Sequence, residues 1–423
     1  MDGSHMVRGC GCDAHAETQS LLSHMDARDL ALNLVNPIED TEIIPLTSAC
    51  GRYTAQDVYA PQAMPFFDNA AMDGFALRLS DLAGRCCLPV AGTVAAGDAP
   101  RTLPDGAALR IYTGAPLPDG ADTVVMIEAC IDKGDRVHID RMPGESENIR
   151  RAGSDQAKGQ LLVAAHTRLA PHHIGLLAAN GLTQITAVRR PRVAVFSTGD
   201  ELTEGTCAPG RIPDANRPML LALLTQAGAA ADDLGILPDD PVATTAAFHA
   251  LGDAYDLIVT TGAVSLGGKD HIRAALTDAG GDIHAWRVAL KPGKPVMFGT
   301  LRQTAFTGLP GNPFAVHVGF YLFVAPQIAR LTGGQIRPYA QDAAIAGFDW
   351  HRKAGRAEVF PVRRTGNDAS GLPVLERLGN SVSATLLPLS GADGLAMVPA
   401  HLDAIVSGDA LQWHPFCLDG DNT

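Results

Sequence analysis

The feature that most constrains this chain is a run of buried apolar strands that end in polar turns between residues 193 and 313. One strand, Arg192-Val-Ala-Val-Phe-Ser197, runs directly into Thr198-Gly-Asp-Glu-Leu202. A second, Leu257-Ile-Val-Thr260, ends in Thr261-Gly-Ala-Val-Ser-Leu-Gly267. Two further segments carry Lys291-Pro-Gly-Lys-Pro295 and Leu309-Pro-Gly-Asn-Pro313. Helical patterns lie between them at 219–228, 241–251 and 270–280, and a long one follows at 314–331. Strand–helix alternation predicts a parallel sheet with right-handed crossovers. An open α/β sheet binds ligands at the carboxyl ends of its strands, and small, hydroxyl-bearing or charged residues follow each of these strands.

The remaining chain reads as apparatus around that crevice. A length of 423 residues exceeds one core, so several domains are expected. Residues 1–23 read as a tag and flexible tail, opening with Met1-Asp-Gly-Ser-His-Met6, which has the composition of a cloning remnant. Residues 24–60 and 145–188 read as a discontinuous linking and dimerisation domain, with helices at 25–35 and 171–179. Between them, residues 61–144 hold short strands at 92–97, 107–112, 121–127 and 136–140, separated by Gly, Pro and Asp turns, and read as an inserted β domain. Residues 189–335 form the α/β domain, and 336–423 a C-terminal β domain with strands at 357–363, 373–375 and 394–398. The expected class is therefore multidomain, α/β plus all-β, with a central three-layer domain.

Composition narrows the function. A formal net charge of −13 argues against a general nucleic-acid or anionic-membrane surface, but local cations and N–H groups can still bind a small anion. No apolar run in the sequence reaches the length of a membrane span and no secretory signal is recognised, so the expected compartment is the cytoplasm. The 8 cysteines read as reduced thiols. Cys10-Gly-Cys12 with His15 fits either a metal site or a polar tail.

The turns carry the chemistry. Thr198, Gly199 and the N–H groups after them can hold a phosphate-like group, while Asp200 and Glu201 suit Mg²⁺ or a ligand amine. Ser265 and the glycines around it let a ligand approach the backbone, and Asp270 starts the next helix. Lys291 and Lys294 form a stiffened cationic turn, and Asn312 follows Pro310-Gly311 ahead of a helix. Outside this region, Pro61-Gln-Ala-Met-Pro-Phe-Phe-Asp-Asn-Ala-Ala-Met-Asp-Gly-Phe-Ala76 mixes acids, Asn, Gly and apolar residues and reads either as a functional loop or as a surface turn with capping acids. Asn148-Ile-Arg-Arg-Ala-Gly-Ser-Asp155 places two guanidinium groups suited to oxyanions. Neither a P-loop nor a Ser or Cys nucleophile motif is present. Carboxylates, Lys, Arg and hydroxyls favour metal-assisted chemistry on phosphate or another oxyanion.

Taken in order, Phe67-Asp-Asn-Ala-Ala-Met-Asp-Gly-Phe-Ala76, Thr113-Gly-Ala-Pro116, Asn148-Ile-Arg-Arg151, Thr198-Gly-Asp-Glu-Leu202, Lys291-Pro-Gly-Lys-Pro295 and Pro310-Gly-Asn-Pro313 closely resemble the molybdopterin molybdenumtransferase family of MoeA and the gephyrin E domain. The resemblance spans residues 25–399. It implies a central molybdopterin-binding-type α/β domain and a cytosolic homodimer of elongated four-domain subunits, in which the α/β domain of one subunit faces the inserted β domain of the other. It implies adenylyl-molybdopterin and molybdate as substrates, Mg²⁺ as cofactor, AMP as product and contact with the molybdopterin adenylyltransferase.

Carried over by motif, the catalytic acids are Asp73, Asp155, Glu201 and Asp270, with Asp73, Glu201 and Asp270 as metal ligands. Thr113, Arg150, Thr198, Gly199, Asp200, Ser265, Lys291, Lys294, Pro310 and Asn312 are carried over as substrate contacts, with Arg356, Arg363 and Ser383 as weaker anion contacts from the C-terminal domain. The chain departs from the family pattern at Ala263, where glycine is usual, at Ser154, where glutamate is usual, at Gly268-Lys269, and at Val382-Ser383-Ala384. A non-catalytic pterin-binding or scaffolding member of the family is the alternative that these departures leave open.

Overall fold

A computed structural model describes residues 21–205, 209–251, 253–262, 271–379 and 383–416. Two compact units result, Glu42–Ala187 and Met1–Thr41 with Val188–Thr423.

The unit Glu42–Ala187 is built on six strands: β1 (Gly74–Leu77), β2 (Cys87–Val94), β3 (Ala108–Ile111), β4 (Thr123–Met126), β5 (Cys130–Asp132) and β6 (Arg136–Ile139). Their order is β4-β1-β3-β2-β6-β5. Alternation along each strand supplies two cores. Ala76, Leu109, Ile111 and Val124 face one, while Phe75, Leu77, Ala108 and Val125 face the other. Sequence reading leaves residues 73–76 in a loop, yet β1 is a wholly buried strand paired on both sides. Its residues are apolar on both faces, so no polar alternation marks it. Gly74 is required there, because a Cβ would lie 1.9 Å from the Val125 carbonyl oxygen. The linking segments of this unit enclose a smaller core of Ile44, Leu46, Val163, Leu177 and Ile185.

The second unit holds β7 (Arg192–Thr198), β8 (Ala230–Leu237), β9 (Leu257–Thr261), β10 (Gly281–Trp286), β11 (Met297–Leu301) and β12 (Thr304–Leu309) in the order β8-β7-β9-β12-β11-β10. Its helices are α1 (His24–Asn33), α2 (Asn216–Gln226), α3 (Pro241–Leu251), α4 (His271–Asp278) and α5 (Pro313–Leu331). The expected parallel sheet holds for β8, β7, β9 and β12. The other two strands correct it: β11 is antiparallel to β12, and β10 to β11. Only Arg302 and Gln303 separate β11 from β12, which is too short for a crossover and permits only a hairpin. Arg302 takes the left-handed conformation that such a turn needs, at φ 55°.

Both faces of this sheet are covered. Val193, Val195, Leu257 and Val259 pack on residues of α1, α2 and α5, while Ala194, Phe196, Ile258 and Phe306 pack on α3 and α4. Sequence reading groups α1 with the linking segments. In the structure its Ala27 and Ala31 join the α/β core, and Gln327 Nε2 donates to the Ala31 carbonyl at 3.0 Å. The helix α5 also overturns the expectation that no apolar run reaches a span. It is 19 residues long with a mean hydropathy of 1.3, long and apolar enough by composition, but 78% of that stretch is buried inside the protein. It is the core helix of the α/β domain.

At the C-terminus, β13 (Asp342–Ala346), β14 (Ala357–Asn367), β15 (Pro373–Arg377), β16 (Gly394–Val398) and β17 (Ala410–Pro415) follow the order β14-β15-β13-β17-β16. A further pairing of β14 with β16 closes them into a barrel. Leu290–Lys291 adds to the barrel, parallel to Ala357 and Glu358. The lysine turn was expected at a strand end of the α/β sheet. It belongs instead to the seam with the barrel, because Leu290 pairs with β14 and not with β10 or β11.

Candidate functional site

The α/β crevice is formed by backbone. Gly262, at φ +102°, follows β9, and a Cβ there would lie 2.1 Å from the Thr198 carbonyl oxygen. Only glycine fits, on steric and conformational grounds together. Gly311 abuts it, with the position of its own missing Cβ 3.5 Å from the Gly262 Cα. Gly199, at φ +144°, lets the Glu201 carboxylate fold back over it: a Cβ would stand 2.7 Å from Oε2. Thr198, Gly199, Glu201, Pro310 and Gly262 are thus gathered at the carboxyl ends of β7, β9 and β12.

A clamp that sequence reading missed ties these ends together. Asn216 Nδ2 donates to Thr261 Oγ1 at 2.9 Å and to the Gly311 carbonyl at 2.7 Å. Thr261 Oγ1 donates in turn to the Pro310 carbonyl at 2.8 Å. Asn216 Oδ1 is buried without a hydrogen-bond partner among the described residues. Asp214 caps the turn, accepting from the Asn216 and Arg217 N–H groups at 3.1 and 3.2 Å. Arg217, nearly fully buried, pairs with Asp214, Asp233 and Glu204. The signal was present as Pro213-Asp-Ala-Asn-Arg-Pro218, an Asp and an Asn just before a helix. Starting that helix at Met219 hid them, since α2 begins at Asn216.

The other residues assigned to this region divide. The Asp200 carboxylate accepts from the Asp239 N–H at 3.2 Å. Asn312 and Ser383 are brought together, with Asn312 Nδ2 2.8 Å from Ser383 Oγ and the Phe314 N–H donating to the Ser383 carbonyl. Lys291 Nζ lies 2.9 Å from Glu358 Oε1, and the Lys294 carbonyl accepts from Val288. The Arg356 carbonyl accepts from Arg352, and the Arg363 guanidinium donates to the Gly391 carbonyl. Ser265 and Asp270, with Ala263, Gly268, Lys269 and Val382, lie outside the described residues.

In the other unit, Asp73 sits immediately before β1. Its Oδ1 accepts from both the N–H and the hydroxyl of Thr113, each at 2.7 Å. The hydroxyl first, then the N–H, hold this exposed carboxyl below its ordinary range, so it is ionised at neutral pH. Asn69–Ala70 pairs with Ile149–Arg150, which brings the acidic loop against the arginine turn. Beside that pairing lies a cavity of about 640 Å³, walled by Phe66 and Phe67 on the apolar side and by Asn69, Arg150, Ser154 and Asp155 on the polar side. Asp155 is set there by its N–H to the Met64 carbonyl at 3.0 Å. Asp73 and Thr113 do not line this cavity. The neighbouring Arg151 has a different part: it pairs with Asp68 at 2.6 Å. The Ala152 N–H first and Arg151 next lower the Asp68 carboxyl, outweighing its slight burial.

No group of three His, Cys, Asp or Glu side chains able to cage a metal occurs among the described residues. The donors are separate carboxylates, Glu201 in the crevice and Asp73 on its loop. Each is a lone hard oxygen donor within its own unit.

Fold and crevice define a multidomain protein organised around an α/β ligand-binding domain. Residues 22–181 match the MoeA N-terminal region (domain I and II), 194–330 a probable molybdopterin binding domain, and 343–416 the MoeA C-terminal region (domain IV). The molybdopterin molybdenumtransferase of Haemophilus influenzae is 39% identical over 323 residues, covering 75% of this chain and 80% of that protein. The Nostoc molybdopterin molybdenumtransferase is 35% identical over 399 residues, covering 90% and 91%. A crystal structure of the MoeA protein of Pyrococcus horikoshii aligns with a TM-score of 0.79 at 26% identity, covering 94% of this chain and all of that one. The chain belongs to the MoeA family of molybdopterin molybdenumtransferases.

Proposed function

We propose that this protein completes molybdenum cofactor biosynthesis, transferring molybdenum from molybdate onto adenylyl-molybdopterin with release of AMP. The observation that carries the reading is the approach of Gly262 to Thr198 with the Glu201 carboxylate folded above Gly199. It packs backbone against backbone at the strand ends and sets a carboxylate beside the Thr198–Gly199 turn, in a chain whose relatives bear the transferase name.

In this reading the Thr198–Gly199 turn receives the pyrophosphate, and Lys291 and Lys294 offset charge as the phosphoanhydride breaks. Asn312, Ser383 and Arg356 support the anion from the barrel side, and Arg150, Ser154 and Asp155 bind from the cavity of the inserted domain. Glu201, Asp73 and Asp270 are the carboxylates assigned to Mg²⁺, which supplies charge neutralisation on the phosphates when bound. Thr113 keeps Asp73 ionised and oriented for that role. The family resemblance supports a cytoplasmic homodimer that receives its substrate from the molybdopterin adenylyltransferase.

The test is AMP release from adenylyl-molybdopterin and Mg²⁺, followed with and without molybdate. Molybdate-dependent release is expected. Tight binding of the substrate without turnover would move the protein to a pterin-binding scaffold.

A further inference from the structure

A carboxylate that the motifs do not include is buried beside the lysine turn. Glu358, in β14, is 1% exposed. Its Oε2 lies 3.1 Å from Arg352 Nε and its Oε1 2.9 Å from Lys291 Nζ. The two cations differ in setting. The Arg352 side chain is 2% exposed and also donates to the Pro399, Leu402 and Arg356 carbonyls, whereas Lys291 is 44% exposed. Register fixes the arrangement, since Lys291 and Glu358 are direct partners in parallel strands. Arg352 and Glu358 come from the barrel, so the barrel holds a lysine whose ammonium still meets solvent.

A buried carboxylate is strongly unfavourable unless paired. Arg352 hydrogen-bonds one oxygen of Glu358, and the Lys291 ammonium offsets the charge of the other as a close ion pair that is not aligned as a hydrogen bond. The triad carries a net single positive charge, and its exposed end is the Lys291 ammonium. A flexible lysine stem loses much rotamer freedom when it grips an anion, and a fixed partner on its inner side removes that loss in advance.

We propose that Glu358 and Arg352 are positioning residues for the transfer reaction: they lock Lys291 so that its outer face meets an anionic oxygen of the substrate. This rests on the reading that Lys291 binds substrate.

A double-mutant cycle separates the two ideas. Lys291→Ala is expected to raise KM for adenylyl-molybdopterin about tenfold or more, the scale of one charge-assisted hydrogen bond. Glu358→Gln is expected to raise KM by a similar factor with kcat changed less than about twofold, and to add nothing in the Lys291→Ala background. If Lys291→Ala leaves KM unchanged, the substrate role of Lys291 fails. If it raises KM but Glu358→Gln does not, or the two effects multiply, the positioning role fails. Glu358→Asp, which keeps the charge but shortens the side chain, should fall between wild type and Glu358→Gln and serves if the latter does not fold. A readout independent of turnover is the acetylation rate of the Lys291 amine in the intact protein, by mass spectrometry. It should rise in Glu358→Gln, and an unchanged rate would overturn the lock.

Discussion

The crevice of the α/β domain and the loops around Asp73 and Arg150, both proposed above to receive anionic groups, are built in opposite ways. In the crevice the polar groups face one another. The side chains of Asn216, Thr261, Asp214 and Arg217 are buried and hydrogen-bonded, and the absence of side chains at Gly199, Gly262 and Gly311 lets the strand ends close on one another. On the loops, Asp73 and Arg150 are exposed and supply charge. One site is a shape fixed by packing, and the other is a charge set on an edge. Substitutions should therefore be felt in folding at the first and in rate at the second.

The largest expected effect tests the first half. Arg217→Met removes the cation that compensates Asp214, whose side chain is 2% exposed. Leaving that carboxylate buried alone should cost about 3–5 kcal/mol, read as a shift of the urea midpoint at unchanged slope. A loss below about 1 kcal/mol would mean that the clamp is not a packing device.

Asp73→Asn tests the second half. It keeps the shape of an exposed side chain but removes its charge. Molybdate-dependent AMP release should fall on the order of 10²–10³-fold, with the thermal midpoint unchanged. An equal loss of stability would erase the contrast between the two regions.

Acid should also separate them. His317, on α5, is buried against Tyr321 and Phe416, with Tyr321 also against His414 of β17. Burial first, then the neighbouring His414, lowers its pKa to about 4 from an ordinary 6.5. The unfolded chain takes up this proton near pH 6.5 and the folded chain only near 4. Stability is thus unaffected by this group above about pH 6.5 and declines as pH falls toward 4, by about 3 kcal/mol in all. The Asp73 carboxyl is held below its usual range by Thr113, so its own titration lies on the acid side of the His317 effect. Denaturant midpoints for the wild type and for His317→Phe between pH 7 and 4 measure the effect, and the variant should show the shallower loss.

The contrast also explains what could be read in the sequence. Motif residues that carry charge to a surface, such as Asp73, Arg150 and Glu201, stood out because they interrupt apolar runs. The strands β7 and β9 stood out because both faces are apolar. What failed to show was pairing. β1 is only four residues long and has no polar face. The β11–β12 hairpin hides in a run that a parallel sheet would share, because direction is set by the two-residue turn and not by strand composition. Asp214, Arg217 and Glu358 are charged residues that belong to none of the motifs, and only the fold makes partners of them. Lys291 looked like a free anion clamp beside Lys294, and its buried partner lies 67 positions further along, at Glu358.

The smallest expected effect is the sharpest within one turn. Arg150 and Arg151 are adjacent and chemically identical, but Arg150 walls the cavity with Asp155 whereas Arg151 pairs with Asp68 at a half-exposed surface. An exposed ion pair contributes about 0–1 kcal/mol. Arg151→Ala should lower stability by no more than that and leave KM for adenylyl-molybdopterin where it was. Arg150→Ala should do the reverse, raising KM about tenfold at constant stability. Identical behaviour of the two variants would show that the turn acts as a diffuse patch of positive charge, and that the geometry separating the two guanidinium groups carries no selectivity.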